Sequence, residues 1–217
     1  KFGAVASPRV SPDGKWVLYV HHDEDRQDRI AVVDVEGKRW PQIVADGRDF
    51  YTQPRWSPDG KRFAFIAWDH PNMPWDGATV FVASVAYDGG VPRVTDTKAL
   101  AGGPSTSVLQ PEFSPDGKSL YFISDESGFW QLHAHDFAKG ANRQVTATPD
   151  TEYGGPNWLQ EMRAYALSAD GAFAYAQANN RGFYTLHKIE LASGKATPVQ
   201  LLASYTDLSQ ITLAPKT

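Results

Sequence analysis

The chain has 217 residues, 41% hydrophobic and 21% charged, with 21 Lys plus Arg against 25 Asp plus Glu and a formal net charge of −4. This is an ordinary globular composition, long enough to bury roughly 70% of its unfolded surface. The acidic balance argues against a nucleic-acid partner, and no run approaches the roughly 18 apolar residues of a membrane span. Cysteine is absent, which excludes disulfides, thiolate zinc sites and a cysteine nucleophile. That fits a cytoplasmic better than a periplasmic location without determining it. The chain opens on Lys1 with no leader pattern, as a piece of a longer protein or a processed product would.

In chain order, the first feature is Ser11-Pro12-Asp13-Gly14-Lys15, and it recurs at Ser57 to Lys61 and at Ser114 to Lys118. A degenerate copy, Ser168-Ala169-Asp170-Gly171-Ala172, follows, and the copies stand 46, 57 and 54 positions apart. A period of roughly 40 to 50 residues between strands is the mark of propeller blades. Pro and Asp preset a tight turn, and Gly14, Gly60, Gly117 and Gly171 supply the positive φ that closes it beside Asp13, Asp59, Asp116 and Asp170. After each turn comes an apolar run: Trp16 to Val20, Phe63 to Ala67, Leu120 to Ile123 and Phe173 to Ala176. These runs are apolar in both phases, so each is predicted to be covered on both faces.

A third strand follows in each unit, at Ile30 to Asp34, Thr79 to Val85, Trp130 to His135 and Tyr184 to Ile189. Glycine turns and short outer strands around Ile43, Arg93 to Thr95, Gln144 to Thr146 and Val199 to Leu201 close the units. The expected fold is therefore all-β: a β-propeller of four-stranded antiparallel blades spanning about 8–46, 53–96, 110–147 and 163–202. The first strand of a fifth blade begins within 209–217, as part of a larger ring of roughly seven or eight blades, the alternative being four blades that close by themselves with the tail completing a neighbouring blade. In each blade the first-to-second and third-to-fourth turns are short. The long connections (21–28, 68–78, 125–129 and 177–183 between second and third strands; 46–53, 96–110 and 147–162 between blades) all fall on the other end. Irregular loops gathered on one face of a rigid scaffold are where binding is expected.

Pro54-Arg55-Trp56-Ser57-Pro58-Asp59-Gly60-Lys61 and Pro111-Glu112-Phe113-Ser114-Pro115-Asp116-Gly117-Lys118 resemble the blade repeats of the TolB protein and of prolyl-oligopeptidase-type serine peptidases. Three narrower stretches are similar to the acylaminoacyl-peptidase-like branch of that family: Ala67 to Gly77, with Trp68-Asp69-His70-Pro71-Asn72-Met73-Pro74-Trp75-Asp76; Ser124 to Leu132; and Glu152 to Trp158. The resemblance implies an N-terminal propeller that gates access to an α/β-hydrolase domain carrying a Ser-Asp-His triad and lends residues to the cavity for a short peptide. That hydrolase domain is the implied partner. No Gly-x-Ser-x-Gly elbow occurs here, Gly103-Pro104-Ser105-Thr106-Ser107 having the wrong frame. This segment alone is therefore expected to carry no catalytic residue and to need no cofactor.

The substrate-facing candidates are His70, Asn72, Met73, Trp75 and Asp76 in the 68–77 connection, Glu152 and Trp158 between the third and fourth units, and Arg181. The tryptophans and Met73 would form an apolar wall, and the bland alternative is a loop packed on itself. Glu152 would pair with the free amine of a peptide or, alternatively, with Arg163. Arg181 would hold a carboxylate, or simply lie at a hairpin tip in Asn179-Asn180-Arg181-Gly182. His133 and His135 share a strand face, and His21-His22 precede Asp23-Glu24-Asp25, but neither set offers a third ligand in register, so no metal site is expected. The competing functions are a TolB-like interaction propeller without activity and a propeller lyase or lactonase. An open ring would also expose apolar faces and strand edges, and self-association follows.

Overall fold

The computed structural model describes residues 3–200, 205 and 207–214. Four antiparallel sheets of four strands each, paired in sequence order, make up the chain among these residues. The first contains β1 (Ala4–Val10), β2 (Trp16–His22), β3 (Asp28–Asp34) and β4 (Gln42–Ala45). The second has β5 (Phe50–Trp56), β6 (Arg62–Trp68), β7 (Thr79–Asp88) and β8 (Val91–Gly102), and the third β9 (Val108–Phe113), β10 (Ser119–Ser124), β11 (Gln131–Asp136) and β12 (Ala141–Gln144). The fourth is β13 (Tyr165–Leu167), β14 (Phe173–Asn180), β15 (Phe183–Glu190) and β16 (Ala196–Pro198). This is the all-β propeller architecture expected.

All four repeat turns share one hydrogen-bond pattern. In the first, the Gly14 amide donates to the Ser11 carbonyl at 2.9 Å, Ser11 Oγ donates to Asp13 Oδ1 at 2.6 Å, and the Trp16 amide donates to Ser11 Oγ at 2.9 Å. The degenerate fourth copy keeps every member: Ser168 Oγ to Asp170 Oδ1 at 2.6 Å, the Ala172 amide to Asp170 at 3.0 Å, and the Phe173 amide to Ser168 Oγ at 2.9 Å. Only the proline and lysine have worn away, because the cage needs Ser, Asp and Gly. The proline has a second role where it remains. A Cβ built on Gly60, Gly117 or Gly171 would meet the ring of Pro12, Pro58 or Pro115 at 3.7, 3.6 and 3.4 Å, so each turn stacks on the next.

The second strands explain the core. In β6, Phe63, Phe65 and Ala67 pack toward the first sheet with Leu18, Val20, Ile30 and Tyr51, while Ala64 and Ile66 pack toward the third with Val80, Leu120 and Phe122. In β10, Tyr121 and Ile123 take the opposite face and meet Tyr165, Ala174 and Ala176 of the fourth sheet. Side chains alternate faces along a strand, so a run apolar in both phases joins two neighbours. The expectation of two covered faces holds for β6 and β10 but not for β14, whose burial alternates: Ala174, Ala176 and Ala178 are buried, and Phe173, Tyr175 and Gln177 only partly.

Two connections differ from expectation. β8 runs to Gly102, so much of 96–110 is strand rather than loop; its pairing with β7 passes two register shifts, which let a polar, irregular sequence continue the ladder. The 177–183 connection is not long either, since β14 and β15 pair up to Asn180 and Phe183 and leave only Arg181 and Gly182 as a turn. Both have positive φ, 54° and 90°, as a two-residue hairpin turn requires. Leu201 and positions 202 and 215–217 of the anticipated outer strand and fifth blade lie outside the described residues.

Candidate functional site

Two of the long connections meet on one end of the blades. The 69–78 connection is held by its own polar groups. Asp49 accepts the His70 amide and pairs with His70 Nδ1, both at 2.9 Å, while Asp69 accepts the Asp49 amide at 2.9 Å and Arg48 Nη1 at 2.6 Å. Asn72 Nδ2 donates to the Pro104 carbonyl at 2.8 Å, and Asp76 Oδ2 accepts the Met73 amide at 2.9 Å. At Gly77 any Cβ would sit 2.5 Å from the Pro104 carbonyl, so only glycine lets the connection close onto 103–104.

These clasps aim Met73 and Trp75 at the second connection. Trp75 lies against Trp158, ring centroids 4.2 Å apart and tilted by 44°. With Phe50, which stacks on Trp68 at 5.2 Å, and with Leu159, they wall a cavity of about 430 Å³ whose polar members are Asp28, Thr52, Asn157 and Gln160. Trp158 and Leu159 are 64% and 71% exposed, so the wall stays open to solvent. Asn157 is buried, and its Oδ1 finds no hydrogen-bond partner. A second cavity of about 290 Å³ lies on the other side of Trp158 and Leu159, lined by Leu109, Met162, Gln177, Tyr184 and Gln210. Such a wall, mostly apolar with a few placed polar groups, can hold an apolar side chain of a ligand.

The connection carrying Trp158 is fixed by charge. Gln160 Oε1 accepts Ser7 Oγ at 2.7 Å and Thr52 Oγ1 at 2.8 Å, and its amide donates to the Tyr51 carbonyl at 3.0 Å. Glu161 takes Arg55 in bidentate fashion, at 2.9 Å to each oxygen, and also pairs with Arg9. Arg55 then reaches Glu112 at 3.2 Å, and Glu112 accepts Arg163 at 2.9 Å. The result is an alternating chain, Arg9–Glu161–Arg55–Glu112–Arg163. Burial, and then the neighbouring Arg55, bring the Arg9 guanidinium down to about 10. This set is not among the residues the sequence singles out, although Arg9, Arg55 and Glu112 each stand two residues before a repeat serine. A charge repeating in phase within apolar strands was the available signal.

The other candidates separate from the tryptophan cavity. His70 and Asn72 line a different hollow with Arg48 and Asp69, and Asp76 serves the loop's own amides. Glu152 and Arg181 line a third, small hollow with Phe129, Asp150 and Asn179. Glu152 is set there by paired backbone bonds to Asn179, 2.9 and 2.8 Å, and by buried Tyr153, whose hydroxyl contacts Thr148 and His187 at 2.9 and 3.1 Å. Arg163 is engaged with Glu112, not Glu152, and Arg181 pairs with Asp150 at 3.8 Å. His135 bonds Asn142 at 2.7 Å, and His133 stacks on Phe122 with its ring pKa lowered by burial. Of the acids after His21-His22, Asp23 pairs with Arg29, and His22 pairs instead with Asp28 at 2.6 Å. No group of three metal-ligating side chains occurs among the described residues.

A family model described as the TolB beta propeller domain matches residues 3–215. Among solved structures the chain is similar to a puromycin hydrolase, with 31% identity and a TM-score of 0.81 over 90% of this chain and 30% of that one. It is similar also to a puromycin-hydrolyzing peptidase of Mycobacterium tuberculosis, at 28% identity and a TM-score of 0.79 over the same shares. Among curated proteins, the uncharacterized peptidase YuxL of Bacillus subtilis (strain 168) is 30% identical over 122 residues, which is 54% of this chain and 17% of YuxL. The chain thus spans less than a third of each of these relatives.

Proposed function

Since the chain belongs to the TolB β-propeller domain family, we propose that it is the non-catalytic propeller of a serine peptidase acting on short peptides. Its partner in that reading is an α/β-hydrolase domain of the same protein, and its loop face admits and orients the substrate. The observation that carries this reading is the meeting of Trp75 and Trp158 in an open apolar cavity, on a chain whose solved neighbours include a puromycin hydrolase and a puromycin-hydrolyzing peptidase, each matched over 90% of this chain's length. An interaction surface that needed only shape would not require two clasped connections to hold two tryptophans over a cavity.

In this role Trp75, Trp158 and Met73 hold an apolar side chain of the peptide. Glu152, which has no ion-pair partner among the described residues, receives a free amino terminus. Residues 209–214 begin a fifth blade. Their support is the bonding of the Arg163 and Ile211 backbones, with the Ile211 amide on the Arg163 carbonyl at 3.3 Å, and the positive φ of 56° at Gln210, shared with Gln53 and Gln110 on β5 and β9. Expressed without further blades, the chain self-associates, which sedimentation across a concentration series reads as a rising mass.

The test of the functional reading is kinetic. The intact gene product is assayed on peptides with apolar or polar side chains and with free or blocked amino termini. Trp158→Ala raises KM for apolar peptides, and Glu152→Gln erases any preference for a free amine. If both variants match the parent on every peptide, the loop face does not meet substrate. A TolB-like interaction propeller is then the reading to pursue.

A further inference from the structure

The charge chain across β1, β5, β9 and the connection before β13 has odd length and is open at its ends. Three arginines and two glutamates leave it one positive charge in excess. The middle is saturated. Arg55, with a side chain 6% exposed, spends its fork on Glu161, its Nε on Glu112, and Nη1 also on the Pro54 carbonyl at 2.9 Å. Glu161 serves two arginines, and so does Glu112. The terminal arginines are different. Arg163 has one carboxylate and the Ile211 carbonyl at 3.1 Å. Arg9 has one carboxylate and the Pro8 carbonyl at 3.2 Å, with its side chain 34% exposed. Its guanidinium fork therefore keeps donors that nothing in the described chain uses.

Neighbouring like charge sharpens the imbalance. After burial, the fields of Arg55 and Arg163 act against the charged form of Arg9, while its ion-pair partner Glu161 and the more remote Glu112 act for it. An added anion at this end would relieve the repulsion and fill the open donors. Arginine's planar fork matches a carboxylate in bidentate geometry. A half-buried position strengthens that pairing relative to open solvent.

We propose that Arg9, within reach of the field of Arg163, is a carboxylate-binding site on the inner wall of the blades, receiving a carboxylate of a peptide. Arg9 lines neither the tryptophan cavity nor the hollow of Glu152. It rests on the peptidase reading only for the nature of the molecule that bears the carboxylate. A peptide held there by its acid group would be drawn along the inner strands.

The test uses calorimetry on the intact gene product after treatment with a serine-reactive fluorophosphonate, so that turnover cannot consume the ligand. Three probes separate the sources of a carboxylate: trialanine with a free C-terminus, trialanine amide, and an amidated peptide ending Ala-Ala-Glu. The free acid, or the glutamyl amide, binds at least about tenfold tighter than trialanine amide, since a charge-assisted bond is involved. Which of the two binds tells a C-terminal from a side-chain carboxylate. Arg9→Gln removes that difference, and Arg9→Lys, which keeps the charge and loses the fork, restores part of it. Glu112→Gln raises the excess charge and tightens the acid probe, whereas Arg39→Gln, on a distant turn, changes nothing. Equal binding of acids and amide by the parent protein overturns the proposal, as does a preference that survives in Arg9→Gln. Because binding is read without turnover, a protein that lacks peptidase activity could still pass this test.

Discussion

Substituting Glu161 by Gln isolates the anchor of the Trp158 connection. The change keeps the shape and removes the charge that Arg55 grips with both Nη atoms at 2.9 Å. Breaking a fully buried ion pair costs about 3–5 kcal/mol because one charge is left uncompensated. Here the penalty is smaller, since Arg55 keeps Glu112 at 3.2 Å and the Pro54 carbonyl, and the Glu161 side chain is 26% exposed. About 2 kcal/mol is expected, in the range for a hydrogen bond to a charged group. Urea denaturation followed by tryptophan fluorescence reads it as a lower midpoint with an unchanged slope. Arg9→Gln, which removes the more exposed partner, serves as the control and costs under about 1 kcal/mol. Adding Arg55→Met to Glu161→Gln should recover part of the loss, because the most deeply buried charge left short of a partner is then gone and Glu112 keeps Arg163. If Glu161→Gln costs less than about 0.5 kcal/mol, the chain does not anchor the connection, because surface changes of no consequence fall within that range.

Gly171→Ala should cost about as much as Gly117→Ala, on the order of 1–3 kcal/mol for a residue forced to keep positive φ; thermal melting of the pair tells whether the worn fourth turn is a full structural copy. Gly77→Ala should displace the 69–77 connection from Pro104 and weaken binding of apolar peptides more than it lowers the melting temperature, which paired binding and melting curves check. Acid should lower stability in two windows. The pKa of His133 and of His187 is lowered by burial, so the unfolded chain takes up protons first as pH falls below about 6.5. Asp13 and Asp116 are held low first by the hydroxyls of Ser11 and Ser114, so a second loss follows below about pH 4. Urea midpoints from pH 8 to 3 should show His133→Phe flattening the first window and Ser114→Ala shrinking the second.

The repeat turns were legible because four side-chain and backbone bonds demand Ser, Asp and Gly at fixed spacing, and the chain repeats them. The two-sided strands β6 and β10 were legible for the same kind of reason: Phe63 to Ala67 and Leu120 to Ile123 are apolar in both phases. β14 misled because alanine fits either face, so its alternation hides behind small side chains. The extension of β8 was not legible, since Thr95 to Lys98 is polar and its pairing depends on bulges that no local pattern announces. At the site, the clasped 69–77 connection stood out by Trp75 and by Trp68 just before it, but its contact with Trp158 is a long-range result of how the sheets stack. The charge chain needed register: Arg9, Arg55 and Glu112 align only once the inner strands lie side by side, and Glu161 comes from a loop.

The most direct measurement is fluorophosphonate labelling of the intact gene product, with peptide turnover followed in the same sample and in the Trp75→Ala/Trp158→Ala double variant. The peptidase account predicts a single labelled serine outside residues 1–217, with equal labelling but reduced kcat/KM for apolar peptides in the double variant. Absence of any labelled serine would contradict it, and so would turnover indifferent to the loss of both tryptophans.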